Sequence, residues 1–280
     1  MRKSKVSRPG LPNNSSMQVA AVVNALHAQN ALNNRLTPLW TRQEFCFMRA
    51  AWVEAAECME NTNWAWYKAN YGKPITDVAR TQIWFELVDI FHFLLSAAIQ
   101  SMFDESRPLF ADNGEAFQLP ADITQTWAEV YVDCYRRAKG RHDVSMLVKN
   151  LPDNVERLVE VAVRAARNKI NDFQEHRAVL SQFFTVCALA DFSFNSLICF
   201  YYAKQALNKF RWSHGYQDGT YIKHWPYGDA GAVIEDNVYL ARGLYDQLNG
   251  TDESGALALA VSGELEKELT AYLTAHYPGK

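Results

Sequence analysis

Apolar residues recur along this chain at helical spacing almost throughout. The pattern predicts helices at roughly 16–36, 40–60, 76–102, 121–138, 153–170, 173–190, 192–212, 234–248 and 252–275. Strand signals are scarce. Asn63-Trp64-Ala65-Trp66-Tyr67-Lys68 reads as a short aromatic helix or connector. Two segments read as loops: 104–120, with Pro108, Gly114 and Pro120, and the Gly- and aromatic-rich 213–233. Long loops in compact domains are often lids or binding loops. The fold class is therefore all-α, a helical bundle. Residues 1–15 read as a flexible tail, and 16–280 as one domain with a helical insertion at about 103–190. That insertion carries no evident active-site chemistry, and its basic cluster (Arg136, Arg137, Lys139, Arg141) reads as solvated surface.

Four acids interrupt the apolar pattern. Glu54 and Glu57 form one pair three residues apart, and Glu86 and Asp89 form a second. Residues at that spacing share a helix face. The segment Ile83–Leu95 is apolar except at Glu86, Asp89 and His92. A helix apolar all round belongs in an interior, where an ionised carboxylate needs a compensating partner. In the preceding helix Phe45, Met48, Trp52, Ala56 and Met59 line up as one apolar stripe. Glu54 and Glu57 fall on the far side among Cys46, Phe47, Ala50 and Val53, so both faces are expected to be covered. An all-oxygen ligand set suits Mg2+ or Mn2+ better than iron. Only one D-x-x-H (Asp89 to His92) accompanies it, against the paired E-x-x-H of di-iron bundles.

Composition narrows the picture. Hydrophobic residues make up 49% of the 280, enough for a sizeable core, and the net charge of −3 gives no reason to expect bulk binding to nucleic acid or an anionic membrane. Any positive site must then be local. Five widely spaced cysteines without a C-x-x-C point to reduced thiols and a cytoplasmic setting. No signal peptide is visible in the basic, polar first fifteen residues, and the run 83–102 carries too many polar groups for a membrane span.

Two further groups bear on function. Lys204, Asn208 and Arg211 share one helix face that leads into Gly215-Tyr216-Gln217-Asp218-Gly219-Thr220-Tyr221 and Lys223. Alone such a set reads as a solvated face and a turn; beside a metal site it suits a polyphosphate. Gln29 and Asn33, with Trp64, Trp66 and Tyr67, offer amide edges and aromatic faces for a nucleobase. On composition alone, the aromatics are ordinary core residues.

In this order these segments resemble the dimeric all-α dUTPase family of trypanosomatids, some bacteria and their phages, distinct from the trimeric β-fold dUTPases. The resemblance rests on Gln29–Asn33, Glu54-Ala55-Ala56-Glu57, Trp64–Lys68, Glu86–Phe93, Tyr202-Ala203-Lys204 with Leu207-Asn208, Arg211 with Gly215–Tyr221, and Glu235-Asp236-Asn237. It covers about 20–100 and 190–240 and is not evident across 103–190.

The resemblance implies a homodimer of the all-α NTP pyrophosphohydrolase type that hydrolyses dUTP, and dUDP, to dUMP. It implies Glu54, Glu57, Glu86 and Asp89 as Mg2+ ligands; two or more ions are expected there, with Mn2+ as a substitute, and Glu57 is the candidate general base. It implies Gln29, Asn33, Tyr67, His92 and Phe93 at the base and sugar, and Lys68, Lys204, Asn208, Arg211, Tyr216 and Lys223 at the phosphates. Three departures stand out. Tyr67 replaces an expected Trp, Gln217 replaces the usual Lys, and the Trp225–Val233 loop is longer. A dCTP or mixed dCTP/dUTP pyrophosphatase is the nearest alternative, because related all-α and MazG-like enzymes share the acid pairs. A metal- and nucleotide-binding regulator, acting through a regulatory protein partner, is the alternative from another class.

Overall fold

The computed structural model describes residues 14–106, 116–140, 151–167, 173–227 and 232–279. Residues 1–13 of the expected tail, Pro108 and Gly114, Arg141, and 228–231 of the second loop lie outside them. The helices are α1 (Asn14–Leu36), α2 (Phe47–Glu60), α3 (Asp77–Ser106), α4 (Ala121–Gly140), α5 (Leu151–Arg167), α6 (Phe173–Leu189), α7 (Phe194–Ser213), α8 (Asp236–Leu248), α9 (Glu253–Ser262) and α10 (Glu264–His276).

Helix α3 is the centre of the bundle, packed by α1, α2, α6 and α7. It is long and apolar enough to cross a membrane, but most of it is buried inside the protein. Its Phe91 meets Tyr131 of α4, Phe183 of α6 and Tyr201 of α7 at ring distances of 5.9, 6.0 and 5.6 Å. Helices α4, α5 and α6, from the stretch expected to be an insertion, thus pack into the same apolar cluster as the rest, with α5 lying on α2.

Three expectations about elements need correction. The helix expected at 40–60 is a short 3-10 turn at Trp40–Arg42 followed by α2. Leu39 and Glu44 take left-handed backbone angles (φ 58° and 52°), which a continuous right-handed helix excludes. The broken backbone is held by Gln100 of α3, whose Nε2 donates to the Thr41 carbonyl at 2.7 Å. The helix expected at 252–275 ends and restarts at Gly263, where φ is 84°, a value that favours glycine. Within the loop 213–233 lies an antiparallel hairpin, β1 (His224–Tyr227) with β2 (Ala232–Glu235), in the register Trp225 opposite Ile234. Trp225 is fully buried and anchors the hairpin against Phe210, Tyr239 and Tyr277.

The stripe assigned to α2 is also rotated. Met48, Ala51, Ala55 and Cys58 are the buried residues, whereas Phe45 and Ala56 are exposed. The small side chains at 51, 55 and 58 allow α2 to lie close to α3, since interaxial distance follows side-chain size. Its other face is not covered among the described residues: Val53 and Glu57 are exposed and Glu54 is half-buried.

Candidate active site

Helices α2 and α3 bring the two acid pairs together. Glu54, Glu57 and Glu86 each offer a carboxylate oxygen, and these oxygens lie within 4.8 Å of one another. Asp89 lines the same cleft but is engaged by Lys204 of α7, Nζ to Oδ2 2.7 Å. The cleft, of about 340 Å3, is completed by Asn61, Gln82, Arg211, Lys223, Glu235 and Asn237. Acids therefore occupy one wall, and Lys204, Arg211 and Lys223 face them.

The acids are electrostatically strained in isolation. Burial, then the charges of Asp89 and Glu57, push Glu54 up to about 7. Burial, then Asp89, push Glu86 up to about 8. Three converging hard oxygen donors, two of which (Glu54 and Glu86) resist ionising here, fit a divalent cation, which would favour their charged forms. Glu54, Glu57 and Glu86 would hold it, with Asp89 adjacent.

The cationic wall is built from buried parts. Lys204 and Arg211 are 3% and 8% exposed, which excludes the solvated-face reading of this ridge. Arg211 makes a two-point pair with the fully buried Asp236, Nε–Oδ2 2.8 Å and Nη2–Oδ1 2.7 Å. Tyr221 donates to the same carboxylate at 2.8 Å. The hairpin places Asp236, because the Asp236 amide donates to the Lys223 carbonyl at 3.0 Å. Asn237 accepts from Lys204 (3.3 Å) and Arg211 (3.4 Å), tying the two cations together. Lys223 is 3.6 Å from Glu235. Tyr216 lies over the Arg211 guanidinium at 5.6 Å. Asn208 is half-buried on α7 and does not line the cleft.

One helical turn along α3 from Asp89, the amide residues form a buried network. Gln29 accepts at Oε1 from His92 Nδ1 (2.8 Å), Tyr201 (3.2 Å) and Gln205 (3.4 Å). Its Nε2 donates to Asn33 Oδ1 (2.9 Å) and Ser96 Oγ (3.1 Å). Burial lowers His92 to about 4, so its ring is neutral at physiological pH. With Nδ1 donating, His92 Nε2 is a buried acceptor without a partner among the described residues. Phe93 is half-buried beside this group.

Tyr67 and Lys68 are not brought to the cleft. They lie on exposed turns between α2 and α3. Trp64, Trp66, Tyr67 and Tyr71 are 42%, 75%, 63% and 57% exposed, so the expectation of core aromatics fails here. Sequence reasoning assigned no role to Asp236, Asn237, Ser96, Tyr201 or Gln205. Asp236 and Asn237 stood in a segment that carried the resemblance, but nothing in the sequence pointed to Arg211 as the partner of Asp236. Tyr201 and Gln205, four apart on a mostly apolar helix, look like core.

An all-α bundle with an acidic wall facing buried cations suits the chemistry of metal-bound phosphate. The chain belongs to the dUTPase family, whose family model matches residues 22–216. It is thus a hydrolase of the dUTP diphosphatase class, and dUTPases generally depend on a divalent metal. The match runs through 103–190, where the sequence alone shows no resemblance, and stops before Lys223, Asp236 and Asn237. No curated protein matches the chain.

Proposed function

We propose that the chain hydrolyses dUTP, and dUDP, to dUMP in a Mg2+-dependent reaction, so limiting uracil in DNA and supplying dUMP. The observation that carries this is the convergence of Glu54, Glu57 and Glu86 opposite Lys204 and Arg211 in one cleft, one helical turn from the Gln29–Asn33–His92 amide network. Bound Mg2+, two or more ions with Mn2+ as a substitute, would neutralise phosphate charge and orient the chain for in-line attack. Glu57, the exposed member of the trio, takes the proton of the attacking water. Lys204 and Arg211 bind the phosphate oxygens, and their burial strengthens that attraction. Asn33 and His92 present hydrogen-bonding edges to the base, and Phe93 flanks it.

The exposed aromatics between α2 and α3 support a homodimer, since contiguous apolar surface of this kind marks an interaction site. The five free cysteines support a reducing, cytoplasmic setting.

A panel of dUTP, dUDP, dCTP, dTTP and dATP, with and without Mg2+, tests the reading. Pyrophosphate from dUTP, phosphate from dUDP, dependence on Mg2+ and preference for uracil are expected. Faster turnover of dCTP would replace uracil by cytosine, and indifference to metal would remove the mechanism. Solution mass measurement tests the dimer.

A further inference from the structure

Arg211, in the last turn of α7, and Lys223, just before β1, both line the cleft. The residues between that helix and that strand, 214–223, belong to neither. Such a segment has no ladder of backbone bonds to fix its shape, so other groups must supply the partners. Its final residues find them elsewhere in the chain. The Trp225 indole donates to the Ile222 carbonyl at 2.8 Å, and the Asp236 amide donates to the Lys223 carbonyl at 3.0 Å. The Ile222 amide donates to the hydroxyl of Tyr277 at 3.2 Å.

Tyr277 closes α10, and its own amide donates to the Leu273 carbonyl at 3.0 Å. That helix is seated on α7 and α8. Lys209 of α7 pairs with Glu266 at 2.6 Å, and Gly243 of α8 admits the Tyr272 ring, from which a Cβ would stand only 2.6 Å. From this seat the Tyr277 ring meets four others. It stacks on Tyr221, with centroids 5.3 Å and planes 8° apart. Phe210 (5.3 Å), His214 (4.9 Å) and Trp225 (5.5 Å) meet it edge to face. Tyr221 in turn donates to the Asp236 carboxylate that pairs with Arg211.

One side chain thus reaches both cations. Its hydroxyl holds the Ile222 amide, next to Lys223, and its ring holds Tyr221, which leads through Asp236 to Arg211. We propose that Tyr277 is a positioning residue for the phosphate end of the cleft: it clamps residues 221–223 against the end of α7, so that Lys223 and Arg211 are presented together. Tyr277 does not line the cleft, and it lies beyond the residues that the family model matches. The proposal rests on the reading that this wall binds phosphate.

Tyr277→Leu tests it, keeping apolar bulk while losing the stacking plane and the hydroxyl. Titration calorimetry with Mg2+ measures the affinity for inorganic pyrophosphate and for deoxyuridine (deoxycytidine, should the nucleotide panel favour cytosine), alongside thermal melting. Tyr277→Leu is expected to bind pyrophosphate about tenfold more weakly than the wild type, the scale of one lost bond to a charged group. Nucleoside affinity should not change, and KM for the triphosphate should rise more than kcat falls. A fold merely loosened would weaken both ligands alike. Tyr277→Phe keeps the stack and frees the Ile222 amide, so a smaller loss of about threefold is expected, again on pyrophosphate alone. Unchanged pyrophosphate affinity in folded Tyr277→Leu, or equal losses on both ligands, would overturn the proposal. If that variant does not fold, Tyr277→Phe decides by the same criterion. A wild-type protein that binds no pyrophosphate would overturn the phosphate reading of this wall, and the proposal with it.

Discussion

Arg211 and Asp236 stand 25 residues apart in the chain and form a two-point ion pair whose carboxylate is sealed from solvent. The pair fixes the guanidinium plane at the cleft, with Tyr221 and Asn237 filling the remaining bonds. Asp236→Asn removes the charge and leaves a buried cation without its counter-ion. The expected loss of stability is roughly 3 kcal/mol, read by denaturant unfolding. In protein that stays folded, kcat/KM for dUTP should fall about a hundredfold, because Arg211 is no longer aimed at phosphate. Unchanged kinetics would place Arg211 outside the reaction.

Glu57 separates binding from chemistry. In Glu57→Gln the side chain keeps its size and loses its basicity. Turnover should fall about a hundredfold or more, while a non-hydrolysable dUTP analogue still binds in titration calorimetry with Mg2+. Retained turnover would assign the base elsewhere.

Glu86 reports on the cation. Without metal, the acids of the cleft repel one another in a partly buried setting. Mg2+ should therefore raise the melting temperature, as any ligand selective for the folded state does. Glu86→Gln should leave the metal-free protein at least as stable and abolish most of the Mg2+-induced rise. A full rise in that variant would exclude Glu86 from the metal site.

His176 makes an acid-sensitive lock outside the cleft lining. Burial holds it down to about 3, against an ordinary value of 6.5. Its ring sits against Trp127, and Tyr131 bonds its Nε2 at 3.3 Å. The unfolded chain binds a proton below pH 6.5 that the folded chain refuses until about pH 3. Stability is therefore complete above 6.5 and is lost as pH falls toward 3, by about 1.4 kcal/mol per unit for one such group. His176→Phe should be less stable at pH 7, since the buried Tyr131 hydroxyl loses its partner. It should also lose stability less steeply below pH 6.5. Parallel curves for the two proteins would show that His176 does not titrate on unfolding.

Much of this protein is readable along one dimension, because the forces concerned act over a few residues. Helical periodicity located the main helices. The spacing of Glu54 to Glu57 and Glu86 to Asp89 announced two carboxylate pairs, since three residues nearly complete a turn. Improbable acids in apolar helices implied a cation. Other features come from contacts between distant segments. Trp225 turned a presumed loop into a hairpin by burying itself among rings from α7, α8 and the residues following α10. Close packing by Ala51, Ala55 and Cys58 chose the inward face of α2 over a stripe of larger apolar residues. Lys204 and Arg211 became buried charges rather than solvated ones because Asp89 and Asp236 arrive from other helices to neutralise them. The Gln29 network joins side chains of α1, α3 and α7, which meet only once those helices are packed together. Local periodicity cannot encode such pairings, because their energy comes from groups brought together by folding itself.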